Sequence, residues 1–460
     1  MSALTIGLIA YIILQMGIAY WASRKIAGDS DYLVAGRRLG VFTLGVSLFA
    51  TWFGGETVMG ASAAIANEGL AGARAEPVGY ALCLVASALF VAGAMRAKGY
   101  MTLADFFRDR FGKRAEVTAA LVAIPTSIIW AAAQLIALSA LLSAVTDLPV
   151  TATLLGAGTL VIAYTLMGGL LGDVVTDLVQ TIVVLAGLLI MMVLLLQRTD
   201  GLANGLALID PAQYVLVPPG ESLIERIDAF AIPILGSIVA QEMIARFLGA
   251  RTAKTAVRGG LLAGGLYLLF GAFPLVFGLI GAGAGFDPAA GDLYLPLMAA
   301  ELMPSALFVV FVGALFSAVL STVDSALLAV SGLASENLYG RLRPNANPQE
   351  KLIAARALTV VAGLAALIVA FSGDSIYGLV ELASSLGSAG LFVSLLIGLH
   401  FRFGGEWSAL AALAAGLVTI WLADFVLVIP GGFLLSITMA AIAYLGVGFL
   451  APGTAAASAE

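Results

Sequence analysis

Residues 181–196 read TIVVLAGLLIMMVLLL, with no charge and, at Thr181, a single hydroxyl. Apolar side chains point in every direction from such a segment. A helix apolar all round is buried in lipid or in a large core, whereas a barrel strand alternates apolar and polar residues over about ten positions. Ala3–Ala22 is a second run, of the length that crosses a bilayer. With 61% of the 460 residues hydrophobic and 11% charged, such runs are the rule in this chain. Only helices and closed barrels satisfy the backbone in lipid, so the expected fold class is an all-α polytopic membrane protein.

Hydropathy divides the chain into about thirteen transmembrane helices. They fall at roughly 3–22, 40–66, 77–95, 116–145, 150–167, 173–197, 228–248, 257–284, 303–335, 351–371, 376–400, 406–428 and 431–451. This layout places all but Arg74, Arg198 and Arg226 of the 22 lysines and arginines on one side. The positive-inside rule then sets the N-terminus outside and the C-terminus in the cytoplasm, in a multi-pass protein of the plasma membrane. No lysine or arginine precedes the first span and no small-residue cleavage site follows it, so it is expected to be retained rather than removed as a signal peptide. The tail from Gly453 is expected to be disordered.

Several function classes drop out. One cysteine, Cys83, allows neither an internal disulfide nor a multi-cysteine metal site. The one histidine, His400, stands beside Phe401-Arg402 at a helix end, where an interfacial structural role is expected. No basic stripe or aromatic-interleaved tract suits nucleic acid. No HExxH, nucleophile elbow or phosphate loop is present, so no enzyme activity and no organic cofactor are expected. The partner expected from composition is membrane lipid.

One span departs from this apolar character. Ser321–Val330 reads STVDSALLAV. Ala318, Ser321, Thr322 and Ser325 follow i, i+3, i+4, i+7 spacing and share a helix face, and Asp324 borders Ser321 on its flank. An ionised carboxylate at bilayer depth costs several kcal/mol unless compensated, which marks a functional site. Hydroxyls beside a carboxylate suit a hard cation such as sodium. The other reading is a helix–helix contact in which Ser and Thr bond to a neighbour. Two further spans are interrupted: one at Gly54-Gly55, one at Pro233 and Gly236. Broken helices at matching places in two halves point to a mid-membrane site, although Gly and Pro are also common in ordinary spans.

Four blocks, in order, carry a resemblance. They are Asp31-Tyr32-Leu33-Val34-Ala35-Gly36-Arg37-Arg38-Leu39-Gly40; Gly99-Tyr100-Met101-Thr102-Leu103-Ala104-Asp105-Phe106-Phe107 with Arg110-Phe111-Gly112; Tyr164-Thr165-Leu166-Met167-Gly168-Gly169 with Thr176-Asp177 and Gln180; and Ser321-Thr322 through Glu336-Asn337-Leu338-Tyr339. Together they resemble the sodium:solute symporter family over about residues 30–340. The resemblance implies a leucine-transporter-like transporter domain over 1–460. Its core would be two inverted five-helix repeats, 40–197 and 228–400, with the first and sixth core helices broken. A peripheral helix at 3–22 and two more within 406–451 would flank that core.

The resemblance also implies sites. A main sodium would be held by the carbonyls of Ala50, Phe53 and Ala318 and the hydroxyls of Ser321 and Thr322. Asp177, Asp324 and Ser325 match a second sodium site, with Asp324 where a serine is common. Ala50-Thr51-Trp52-Phe53-Gly54-Gly55, Pro77-Val78-Gly79-Tyr80 and Trp130-Ala131-Ala132-Ala133 further resemble the high-affinity choline transporter branch. There, aromatic rings surround a quaternary ammonium through cation–π attraction. Trp52, Tyr80 and Trp130 carry over; a further tryptophan of that branch falls at Ala240, and Glu56 replaces a glycine. With Gln134 and Gln241, these side chains form the expected substrate pocket; Glu242 and Glu381 are further candidates. The function implied is sodium-coupled symport of a small organic solute by alternating access, choline-like or another amine or amino acid. Proton coupling through Glu56, Asp177 or Asp324 is the alternative, and a passive channel or facilitator is a more distant one.

Overall fold

The computed structural model describes residues 28–146, 148–373 and 375–450, with a few isolated positions between 10 and 24. Apart from those positions, the helix expected at 3–22 lies outside the described residues, as does the tail from Gly453. Among the described residues the chain is helical, without a β-strand; Leu39 and Ala250 form one isolated bridge.

The membrane-length elements are α1 (Val41–Trp52) with α2 (Glu56–Gly72), α3 (Val78–Lys98), α4 (Lys113–Ala144) and α5 (Val150–Arg198). After the shorter α6 (Leu223–Leu235) and α7 (Gln241–Leu248) come α8 (Ala253–Gly283), α9 (Ser305–Leu342) and α10 (Pro348–Ala370). The chain continues through α11 (Ile376–Ser385) with α12 (Ser388–His400), then α13 (Glu406–Leu427) and α14 (Gly432–Leu450). Among the described residues, 8 helices are long and apolar enough to span a membrane, or up to 10 if each bent pair is one span. The thirteen of the sequence reading is a larger number for identifiable reasons. The first lies outside the described residues, and the spans expected at 150–167 and 173–197 are two helices joined without a loop at the Gly169 kink, counted together as α5. The span expected at 228–248 is divided between two short helices, α6 and α7.

Gly169 shows why α5 changes direction without a loop. Its φ of 52° and ψ of −174° are open to glycine and strained for any other residue. The Tyr32 ring fills the notch so formed: a Cβ on Gly169 would stand 2.6 Å from it, and the Tyr32 hydroxyl donates to the Thr165 carbonyl at 3.0 Å.

Both expected helix breaks are present. Phe53 leaves helical geometry (φ −85°, ψ 54°), and α1 and α2 meet at 54°. In the second case the interruption lies later than expected. Pro233 sits inside α6, whose last turn passes into a tighter 3₁₀ turn, Gly236–Val239. Without an N–H, Pro233 cannot bond the carbonyl four residues back, but the chain goes on as helix. The backbone becomes extended only at Ala240 (φ −61°, ψ 119°).

α9 packs against both α4 and α5, and α1 packs against α5 and α8. At the arginine-rich end, the second and fourth sequence blocks meet. Thr102 donates to Asn337 Oδ1 at 2.7 Å, and the Asn337 amide donates to Asp105 at 3.0 Å and Glu116 at 2.9 Å. Arg108 pairs with the same two carboxylates, each at 3.1 Å. Nearby, Leu39 N donates to the Gly249 carbonyl at 3.1 Å and Arg251 N donates to the Leu39 carbonyl at 3.0 Å. That clip ties the start of α1 to the end of α7.

Gly169→Ala is expected to destabilise the protein by about 1–3 kcal/mol, from backbone strain together with displacement of Tyr32. Thermal unfolding of the detergent-purified protein checks this, and an unshifted melting temperature counts against the account of the notch.

Candidate functional site

The break after α1 is packed against the middle of α9. Thr322 Oγ1 donates to the Ala318 carbonyl at 3.0 Å, and a Cβ on Gly54 would stand 2.7 Å from that hydroxyl oxygen. Glycine is therefore what lets the interrupted backbone reach α9. Ala50, Phe53 and Ala318 line one narrow cleft there, with Gln180 and Thr181 of α5. Four of the five residues expected around the main sodium are thus gathered at one junction. Gln134 also comes to the break, near Gly54 and Gly55, and both polar atoms of its amide are buried without a partner. An unsatisfied buried amide costs about 1–3 kcal/mol, which a bound ligand or water would recover.

Ser321, the fifth, turns elsewhere. Its Oγ lies 2.5 Å from Asp173 Oδ1 and 2.5 Å from Asp177 Oδ1. A hydroxyl has one proton and serves one of these at a time, so the other close oxygen pair calls for a cation or a further proton. Ser325 donates to Asp173 Oδ2 at 2.7 Å and Ser47 of α1 donates to Asp177 Oδ2 at 2.6 Å. Arg246 of α7 closes the group, with Nη2 at 2.6 Å from Asp173 Oδ2 and 2.8 Å from Ser325 Oγ, and Nε at 3.0 Å from Ser47 Oγ. Arg246 is 0% exposed. The charge count of the sequence placed it in a cytoplasmic loop; the structure corrects this, since its carboxylate partners lie within the helix bundle. Asp177 and Ser325 therefore belong to one cluster. Both carboxyl oxygens of Asp324 are buried with no partner in full hydrogen-bond geometry among the described residues, the Thr165 hydroxyl being a side-chain hydrogen-bonding neighbour.

The expected substrate side chains mostly converge. Trp52, Glu56, Tyr80 and Trp130 line a central cavity with Gly236–Ala240 backbone, Glu242, Ser384 and Ser388. Tyr80 donates to Glu56 at 2.5 Å, and the Trp52 and Tyr80 rings lie 4.9 Å apart. The cavity holds about 40 Å³ of water-sized space, room for roughly three waters. An organic solute must widen it. Gln241 is not in its wall: its Oε1 accepts from Leu103 N at 2.7 Å, on the side of α7 facing the arginine-rich end.

Glu56, Tyr80 and Ser384 also line a second small space with Tyr377 and Glu381, and that space adjoins an outer vestibule of about 350 Å³ through Ile232 and Glu381. Arg74 lies between, 3.4 Å from Glu381 and 5.2 Å over the Tyr377 ring. His400 Nε2 donates to the Phe90 carbonyl, 2.9 Å away at a helix end, outside every one of these spaces.

The sequence reading missed Asp173, Arg246 and Ser47, and also Glu76, which accepts from Tyr267 at 3.1 Å behind the aromatic wall. A signal for Asp173 existed: it stands four residues before Asp177, on the same helix face.

Comparison with known proteins places this geometry in context. The sodium:solute symporter family matches over residues 32–418. The high-affinity choline transporter 1 of Drosophila melanogaster is 30% identical over 413 residues, covering 86% of this chain and 67% of its own length. The human high affinity choline transporter 1 is 29% identical over 437 residues, covering 90% and 75%. The high-affinity proline transporter PutP of Bacillus subtilis is 26% identical over 454 residues, covering 91% and 93%. Among solved structures, a substrate-bound, outward-open Na+-coupled sialic acid symporter superposes with a TM-score of 0.83 at 18% identity, over 98% of each chain. At that identity the likeness is one of fold.

Arg246→Ala is expected to cost about 3–5 kcal/mol, because it leaves buried carboxylates without their cation. Arg246→Lys should recover part of this, keeping the charge but losing the planar fork. Thermal unfolding measures both, and wild-type stability in Arg246→Ala is the contrary result.

Proposed function

Because this chain belongs to the sodium:solute symporter family, a family of multi-pass membrane transporters, we propose that it imports a small organic amine with sodium by alternating access. The observation that carries this reading is the junction of the α1 break with α9. There Ala50, Phe53 and Ala318 line one cleft and Thr322 bonds the Ala318 carbonyl. Oxygens released from helical pairing, beside hydroxyls, suit a desolvated alkali cation. In this reading residues 40–197 and 228–400 are the two inverted repeats, 3–22 and 406–451 are peripheral, and the N-terminus faces outside. Sodium joins α1 to α9 and favours the outward-open form. Solute then closes the outer side around Trp52, Tyr80 and Trp130. Loss of sodium to the cytoplasm releases the inner side. Each sodium contributes about 2.3 kcal/mol per 100 mV of potential.

An amine is favoured over an acid by the walls of the cavity. Glu56 and Glu242 line it, and no lysine or arginine does. The aromatic rings suit a cation's desolvated face. The choline transporters among the relatives agree with this chemistry, whereas a carboxylate-bearing solute would find no cationic partner in the wall. Proton coupling is the second reading, favoured by Asp324. Its buried carboxyl has the Thr165 hydroxyl as a neighbour and no ion-pair partner among the described residues, and a cation or a proton would compensate it.

Reconstituted into proteoliposomes, the protein should accumulate an amine against its gradient only when sodium is supplied. Thr322→Ala should raise the sodium concentration for half-maximal uptake by about tenfold, the scale of one lost oxygen ligand at about 1.4 kcal/mol. Sodium dependence left unchanged in this variant would refute the assignment; uptake driven equally by a pH gradient in sodium-free buffer would favour the proton.

A further inference from the structure

The central cavity holds two carboxylates, and they are held apart. Glu56, at the start of α2, receives the Tyr80 hydroxyl, and Trp130 is its other side-chain hydrogen-bonding neighbour. Glu242, at the start of α7, receives the Ser127 hydroxyl at 3.3 Å. Ser127 and Trp130 are three residues apart on α4, about 4.5 Å along its axis. One face of α4 thus approaches both acids, with the aromatic rings beside Glu56.

Neither acid has an ion-pair partner within 4.0 Å among the described residues. Arg246, one turn along α7, donates to the Glu242 backbone carbonyl at 3.3 Å and lends its charge to that acid from a distance, but its guanidinium is committed to Asp173, Ser325 and Ser47 and makes no ion pair with the Glu242 carboxylate. Their only side-chain donors are neutral. Two buried carboxylates without cations are costly, and the cost is recovered if the solute itself carries the positive charge. A single ammonium at the aromatic rings would satisfy Glu56 and leave Glu242 unmatched. The approach favours cations as well: the outer vestibule is lined by Glu225, Asp228, Glu381 and Asp424 against one arginine, Arg74. Fields of one sign in a low-dielectric cleft concentrate ions of the other.

We infer that the solute is a compact dication, a short α,ω-diamine, with one ammonium at Glu56 among Trp52, Tyr80 and Trp130 and the other at Glu242. This rests on the sodium-coupled amine symport proposed above, and it assigns Glu242 the role of a specificity residue. Its side chain counts charges at the far end of the solute.

The test is equilibrium binding of radiolabelled 1,4-diaminobutane to the purified full chain in sodium buffer, with unlabelled 1,4-diaminobutane, butylamine and choline as competitors. The expected result is that the diamine displaces label at concentrations at least tenfold below butylamine or choline. Glu242→Gln should weaken the diamine at least tenfold and butylamine less than threefold, while Glu56→Gln weakens both. Both substitutions preserve shape, and a sodium-dependent rise in melting temperature, retained in each variant, shows that it is folded. Butylamine or choline binding as well as the diamine overturns the inference, as does Glu242→Gln weakening diamine and monoamine alike, or no diamine binding at all. With radiolabelled choline as a second probe, tight, sodium-dependent choline binding with no diamine binding would overturn the dication and leave sodium-coupled amine symport standing. Amine binding indifferent to sodium would count against that symport reading itself.

Discussion

Arg246 carries a positive charge with no exposed surface, and four helices meet at it. Its guanidinium reaches Asp173 of α5, Ser325 of α9 and Ser47 of α1, and its own backbone belongs to α7. A charge so placed is tolerable only if every donor finds an acceptor, which is a demand on the position of each helix at once. The same contact holds α7 in place beyond the extended Ala240, where no helical hydrogen bonds cross the gap. The polar centre of this protein is therefore organised around an internal cation before any external one binds. Asp177 and Ser321, at the edge of that group, are where a mobile cation would compete for the same oxygens.

Much of this was legible in the amino-acid order, for reasons that differ by feature. The apolar runs dictate helices because lipid leaves the backbone no other solution. Gly54-Gly55 announced the first break, and Ser321, Thr322 and Asp324 announced a polar face on α9. Trp52, Glu56, Tyr80 and Trp130 converge as expected. What sequence could not supply was direction. Ser321 and Thr322 are neighbours, yet one turns to the carboxylates of α5 and the other to the carbonyl of its own helix. Arg246 lies near Arg251 and Lys254, so charge counting grouped it with the cytoplasmic loops. Only tertiary packing reveals that it points inward. Gln241 beside it was assigned to the solute on composition, and the geometry turns it to the Leu103 amide.

The second break illustrates a related point. Pro233 is the residue that ought to end a helix, yet the turn continues past it and the backbone opens only at Ala240. A missing donor weakens one hydrogen bond; it does not decide which of the next few residues will give way. Neighbours decide. Arg246 anchors the far side of the gap, so the extended residue falls between that anchor and the end of the 3₁₀ turn.

The small clip between Leu39 and Ala250 has a mechanical meaning. It couples the chain entering α1 to the chain leaving α7, so the segments next to both interruptions are tied by one pair of backbone hydrogen bonds. Any rearrangement that moves one of these two severed rods while the clip holds must carry the other with it, like scissor arms on one pin.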